Sequence, residues 1–295
     1  YEKVLFDWKT TNKTCIVHAT GTGKSLIIAK IILENPNAKC LFLAPNIFIL
    51  DQIKKHLKKK DTNVNFYSYQ YFLKNNVNDF INYSYIFLDE FHRVGAPEWN
   101  KNIVDILNNN PQAKILGTTA THIRYLDDNR DMAKELFNNS ISSYIDLGSA
   151  IKKGIHKKPK YVSAIYNVSE IIDDTIVNLI KYKKDKEIEK LQSKRILWEK
   201  SNGIDFIINK YLSLGRKKML VFCKSKDHLN EIEILIKPIL TRFYNKQVEF
   251  HTVFSEIGQS KNLNTLNHLK KAEISQVIFS VDMLNEGIHV DGVDT

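Results

Sequence analysis

At 295 residues the chain exceeds what one hydrophobic core usually organises, so two domains are expected, each able to bury a core of its own. A composition of 43% hydrophobic and 26% charged residues is that of a water-soluble globular protein and excludes a disordered or membrane-embedded one. The 43 Lys and Arg against 33 Asp and Glu give a formal charge of +10, which suits a polyanionic partner and equally fits a Lys- and Asn-rich composition bias.

Cys15, Cys40 and Cys223 are far apart, each in an apolar run, and no CxxC pair offers metal or redox chemistry. They are expected to be reduced core residues. Asn35-Pro36-Asn37 and Pro45-Asn46 interrupt the longest apolar stretches before they reach the ~18 residues of a membrane helix. No membrane partner and a cytoplasmic location are therefore expected, with Tyr1 treated as the edge of a fragment.

In chain order, short β-rich runs alternate with helical patterns. Strands are expected at Thr14 to Val17, Cys40 to Leu43, Val64 to Tyr67, Tyr85 to Leu88 and Ile115 to Thr118, which predicts an α/β fold with a parallel sheet covered on both faces. From Ile171 to about Trp198 the pattern becomes helix-compatible and crowded with mixed charge. A second series then begins, with strands at Lys218 to Cys223, Val248 to Phe254 and Gln276 to Ser280. The expected division is a first lobe over 1–165, a helical linker over 166–200 and a second lobe over 201–295.

The strongest chemical signal is His18-Ala19-Thr20-Gly21-Thr22-Gly23-Lys24-Ser25, between a strand ending near Val17 and the apolar helical run from Leu26. Gly21 and Gly23 let the backbone curl so that successive N–H groups face inward, and the helix N-terminus adds its positive dipole end. Thr20 to Ser25 thus form a candidate phosphate site, with Lys24 reaching the β and γ phosphates and the Ser25 hydroxyl ligating Mg²⁺. The strict GxxxxGK[ST] pattern wants glycine where His18 stands. Asp89-Glu90 ends the apolar run from Tyr85 and would lie at the crevice beyond the sheet's carboxyl edge. Asp89 would hold Mg²⁺ through water, and Glu90 would deprotonate the attacking water.

Asp89-Glu90-Phe91-His92 reads as a DExH box. Together with Thr20 to Ser25 before it and Thr119-Ala120-Thr121 after it, the chain resembles the superfamily 2 DExH helicases. Ala44-Pro45-Asn46 is similar to motif Ia, Ser68-Tyr69-Gln70 to the Thr-Tyr-Gln element of the restriction and repair branch, Val221 to Ser225 to motif IV, and Asp282 to Val290 to motif V. The resemblance implies two RecA-like lobes and a catalytic set of Lys24, Asp89, Glu90 and His92, with His92 linking motif II to motif III. It gives Thr119 and Thr121 coupling roles, Asn46, Ser68, Gln70 and Lys224 contacts to a bound strand without sequence readout, and Glu286 and Gly287 an approach to the nucleotide from the second lobe. Cofactors would be ATP and Mg²⁺, and the partner a nucleic acid, DNA favoured over RNA. Motif VI, with its arginine fingers, does not occur before Thr295, so the second lobe is expected to be incomplete and the natural protein to continue.

The lysine groups at 54–60 and 152–160 could flank a bound strand, but a solvated charged face is the commoner outcome and neither is assigned; the nine histidines show no zinc spacing. Trp8, Trp99 and Trp198 are expected to pack, with Trp8 also a weak candidate for a place beside the base. Two functional readings follow: an ATP-driven helicase or translocase, and a non-hydrolysing ATP-dependent clamp or recruitment module. The Asp89-Glu90 pair favours the first, since a clamp needs no general base.

Overall fold

The computed structural model describes residues 1–57, 62–124, 127–158, 168–200, 203–212, 218–254, 265 and 274–281. The chain divides into two compact units, the first within residues 1–158 and the second within the described residues from 168 onward.

In the first unit, α1 (Glu2–Asp7) leads into β1 (Lys13–His18), α2 (Lys24–Glu34), β2 (Cys40–Ala44), α3 (Ile47–His56) and β3 (Val64–Ser68). A short 3-10 turn, β4 (Tyr85–Asp89), a second 3-10 turn (Phe91–Gly95), α4 (Pro97–Asn108) and β5 (Lys114–Thr119) follow. The unit closes with the two-residue strands β6 (Ile123–Arg124) and β7 (Arg130–Asp131), then α5 (Met132–Phe137), β8 (Ile141–Ile145) and α6 (Leu147–Lys152). Six strands form one parallel sheet in the order β3-β2-β4-β5-β1-β8.

The strand sequences explain the layering. In β2 every residue is buried, as expected of a strand covered on both faces. Alternate residues point to opposite faces. Ile16, Phe42, Phe87 and Leu116 pack with α1, α2 and α3, while Cys15, Val17, Leu41, Leu43, Ile86 and Leu88 pack with α4, α5 and the 3-10 turns. All three cysteines are free and buried.

The second unit contains α7 (Val168–Lys181), α8 (Asp185–Lys200), α9 (Gly203–Tyr211), β9 (Lys218–Cys223), α10 (Lys226–Phe243), β10 (Val248–Phe254) and β11 (Ser275–Val281). Its described strands form a parallel sheet in the order β10-β11-β9, packed against α10 through Leu229, Leu240, Val277 and Phe279. Both units are α/β with parallel sheets, the RecA-like architecture.

The structure departs from expectation at three places. The helix-compatible stretch from Ile171 to Trp198 is two helices, α7 and α8, broken where Lys183 adopts a left-handed φ of 54°. β8 was not anticipated: Ile-Ser-Ser-Tyr-Ile is half polar, as an edge strand can be, and its Ser142 hydroxyl is bonded to Asp7 and Thr14. Trp8 is not beside the nucleotide loop. Its indole N–H donates to the Ile115 carbonyl (3.3 Å), and its own carbonyl accepts from Lys114, at the amino end of β5 and thus the opposite edge of the sheet from that loop. Trp99 packs on Tyr69, with ring centroids 5.7 Å apart. No described helix is long and apolar enough to cross a membrane.

Candidate active site

The carboxyl edge of the first sheet gathers the chemistry. β1 runs into a loop in which Gly21 and Gly23 hold φ of +78° and +88°, conformations that a side chain would strain. The loop is braced internally, with the Thr22 hydroxyl donating to the Ala19 carbonyl at 2.7 Å. α2 then starts with no side chain capping its N-terminus, as do α1 and α4, whereas α3, α5, α6 and α10 are capped by Asn46, Asp131, Asp146 and Ser225. An uncapped helix end reached through two left-handed glycines is a fit for phosphate oxygens. Lys24, buried in the first turn, donates to the His18 carbonyl at 2.9 Å, and Ser25 beside it is half-buried.

His18 stands where the strict phosphate-loop pattern wants glycine, and β8 accommodates it: its Nε2 lies 2.8 Å from Ser143 Oγ. Its Nδ1 is buried with no hydrogen-bond partner among the described residues. Burial first, then the charges of Lys24 and Lys153, push the imidazole down from its ordinary 6.5 to about 4. A base whose folded pKa is depressed is held neutral by the fold. Its contribution is complete above pH 6.5 and is lost as pH falls toward about 4. Urea midpoints of wild type and His18→Gln should therefore diverge below pH 6.5, the wild type falling more steeply; parallel curves would contradict this.

Next to the loop, β4 ends in Asp89, whose register partner on β5 is Thr118. The Thr118 hydroxyl donates to Asp89 Oδ1 at 2.6 Å and the Glu90 N–H to the same oxygen at 3.1 Å. The Asp89 carbonyl accepts from the buried Tyr69 hydroxyl at 2.8 Å. Burial and the neighbouring Glu90 raise Asp89 to about 6, against the opposing pull of Thr118 and Lys24. A carboxylate so desolvated, together with the Ser25 hydroxyl, offers the hard oxygen donors that suit Mg²⁺.

Glu90 takes a left-handed φ of 50°, a conformation that non-glycine residues hold only when the surroundings enforce it. Its Oε2 accepts from the Thr119 hydroxyl at 3.2 Å and lies 3.5 Å from His92 Nδ1, which is itself 2.8 Å from Thr119 Oγ1. Thr119 Oγ1 also lies 2.7 Å from the Thr121 carbonyl oxygen, so its single hydroxyl proton is shared between that oxygen and Glu90 Oε2. Glu90, His92 and Thr119 thus form one buried network, and Thr121 enters it through its backbone.

The other sequence-derived residues fall as follows. Asn46 and Ser68 lie at the carboxyl ends of β2 and β3, and Gln70 is exposed in the turn after β3. Asn46 Oδ1 accepts from the Ile49 N–H at 3.1 Å, so part of this side chain is committed to capping α3. Asn46→Ala should cost about 1 kcal/mol of stability, measured by urea unfolding, and Asn46→Asp should restore it. Lys224 is exposed after β9 in the second unit. Glu286 and Gly287 lie outside the described residues. Thr118 and Tyr69, which hold Asp89 by both ends, were not singled out from sequence. The parallel register that sets Thr118 opposite Asp89 was the missing information.

Residues 1–72 and 54–124 match the family described as type III restriction enzyme, res subunit, and residues 202–295 match the helicase conserved C-terminal domain. The comparison with curated proteins returned no match. Among solved structures, the Pyrococcus furiosus Hef helicase domain is similar at 14% identity and a TM-score of 0.51, over 99% of this chain and 88% of that one. The Sulfolobus solfataricus SWI2/SNF2 ATPase core in complex with dsDNA matches at 12% identity over 99% of this chain and 78% of that one, with a TM-score of 0.43, too loose to weigh. At such identity the Hef likeness speaks for the fold. The restriction res-subunit match on the first lobe, the helicase C-terminal match on the second and the RecA-like architecture together support a superfamily 2 helicase of the DExH type.

Proposed function

We propose that this protein is an ATP-driven nucleic-acid translocase or helicase core whose track is DNA. The observation that carries the reading is the Glu90–His92–Thr119 network set beside the phosphate loop. Holding Glu90 in a left-handed conformation and burying it is costly, and a protein that only binds nucleotide has no use for it. The residues divide the work. Glycines 21 and 23 and the start of α2 receive the phosphates, and Lys24 neutralises their charge. Ser25 and Asp89 would hold Mg²⁺, which when bound offsets charge on the phosphate oxygens; Thr118 and Tyr69 keep Asp89 in place. Glu90 accepts a proton from the attacking water. His92 and Thr119 respond to the state of Glu90 and pass it to the segment through Thr121.

Asn46, Ser68 and Gln70 are proposed strand contacts because they share one edge of the sheet, and polar side chains of this kind meet phosphate and sugar without reading bases. The match to a restriction-enzyme family over residues 1–124 supports DNA as the track. The test is equilibrium affinity of the full natural chain for single- and double-stranded DNA and RNA, without nucleotide, with MgATP and with MgADP. Tighter binding to DNA than to RNA, shifted by nucleotide, is the expected result. Equal affinity for both polymers would reject the DNA assignment, and affinity indifferent to nucleotide would reject the motor.

A further inference from the structure

His156 has no place in the site described so far, yet its ring lies on the phosphate loop. Its position follows from the way α6 ends. Gly154 turns the chain with a φ of +71°, and the N–H groups of Ile155 and His156 both donate to the carbonyl of Ala150, at 2.9 and 3.3 Å. Ala150 is fully buried, so this helix-ending turn is anchored, and it sets the direction in which residue 156 leaves. The His156 Nε2 lies 2.8 Å from the Thr20 carbonyl oxygen. A carbonyl only accepts, so Nε2 carries the proton and donates. The ring also fills the space beside Gly21, where an added Cβ would meet its Cε1 at 2.9 Å. From the same turn, Lys153 acts electrostatically on His18 just before the loop.

The bond matters because of where the peptide between Thr20 and Gly21 can point. Gly21 tolerates either sign of φ, so that peptide can turn over at little cost unless something holds it. In a trans peptide the C=O and N–H point opposite ways, and this chain has no cis bond among its described residues. Fixing the Thr20 carbonyl against His156 therefore fixes the Gly21 N–H pointing away from the ring, where an anion can take it.

We propose that His156 is a further positioning residue of the nucleotide site, locking the Thr20–Gly21 peptide in the orientation that receives phosphate. The inference rests on the reading that the loop takes MgATP.

The experiment is equilibrium MgATP binding to the full natural chain as wild type, Lys24→Ala, His156→Ala and His156→Gln, with thermal midpoints for each. The prediction is that His156→Ala weakens MgATP about tenfold, the size expected for one hydrogen bond that organises a charged site. His156→Gln, whose amide nitrogen can donate to the same carbonyl, should regain most of the loss, with the midpoints of both His156 variants unchanged. Wild-type affinity in His156→Ala, while Lys24→Ala fails to bind, would overturn the positioning role alone. Equal weakness in the Ala and Gln variants would overturn the hydrogen-bond lock. No MgATP binding by wild type, or wild-type affinity in Lys24→Ala, would overturn the nucleotide reading and this inference with it.

Discussion

Glu90→Gln is expected to keep MgATP bound while hydrolysis falls about 10²–10⁴-fold, the usual contribution of a positioned general base. The substitution is nearly isosteric. The carbonyl oxygen of the introduced amide can accept the Thr119 hydroxyl that Glu90 Oε2 now accepts at 3.2 Å, so the buried network keeps its shape. What disappears is the negative charge and the site that takes the proton. Because the Glu90 charge raises the cost of ionising Asp89, removing it also eases Asp89 into its charged form, which favours Mg²⁺. Nucleotide affinity should thus be unchanged or tighter. Single-turnover phosphate release alongside equilibrium MgATP binding reads both quantities; a variant that hydrolyses at the wild-type rate would remove Glu90 from the chemistry.

Gly117→Ala should be among the most destabilising single-methyl additions in the first unit. A Cβ there would stand 2.3 and 2.7 Å from Phe137 Cζ and Cε2 and 2.8 Å from Phe91 Cδ1. Both rings are essentially fully buried and meet edge to face at 4.9 Å, so neither has room to turn aside. The strand must then shift, and Gly117 lies between Leu116 in the core and Thr118, which holds Asp89. Overpacking of this kind costs about 3 kcal/mol. Loss of the Thr118–Asp89 alignment should weaken Mg²⁺-dependent nucleotide binding as well. Adding Phe137→Leu, which opens space on the same side, should recover part of the stability. A urea midpoint for Gly117→Ala equal to wild type would show that the core yields where it looks tight.

Much of the fold was legible because its strands are short apolar runs bounded by turn residues, and β9 and β10 fall where the sequence puts them. The edge strand β8 was not legible, since Ser142 and Ser143 give it no apolar run. Its identity depends on pairing with β1. The phosphate loop could be read because Gly, Gly and Lys-Ser stand at spacings few other structures need. Asp89 and Glu90 stand out because they end the apolar run from Tyr85 to Leu88. What holds them could not: Thr118 and Tyr69 reach Asp89 across sequence gaps of 29 and 20 residues, through register and packing that no local pattern encodes. His156 is further still, 136 residues from Thr20, and the glycine that aims it looks in sequence like an ordinary turn.

The most direct test of the account is the rate of phosphate release from MgATP by the full natural chain, with and without saturating double-stranded DNA. The account predicts a rate that depends on Glu90 and rises about tenfold with DNA, the step that about 1.4 kcal/mol of coupling would give. Tight MgATP and DNA binding with no phosphate released under either condition would contradict it, and would leave a nucleotide-dependent clamp in place of a motor.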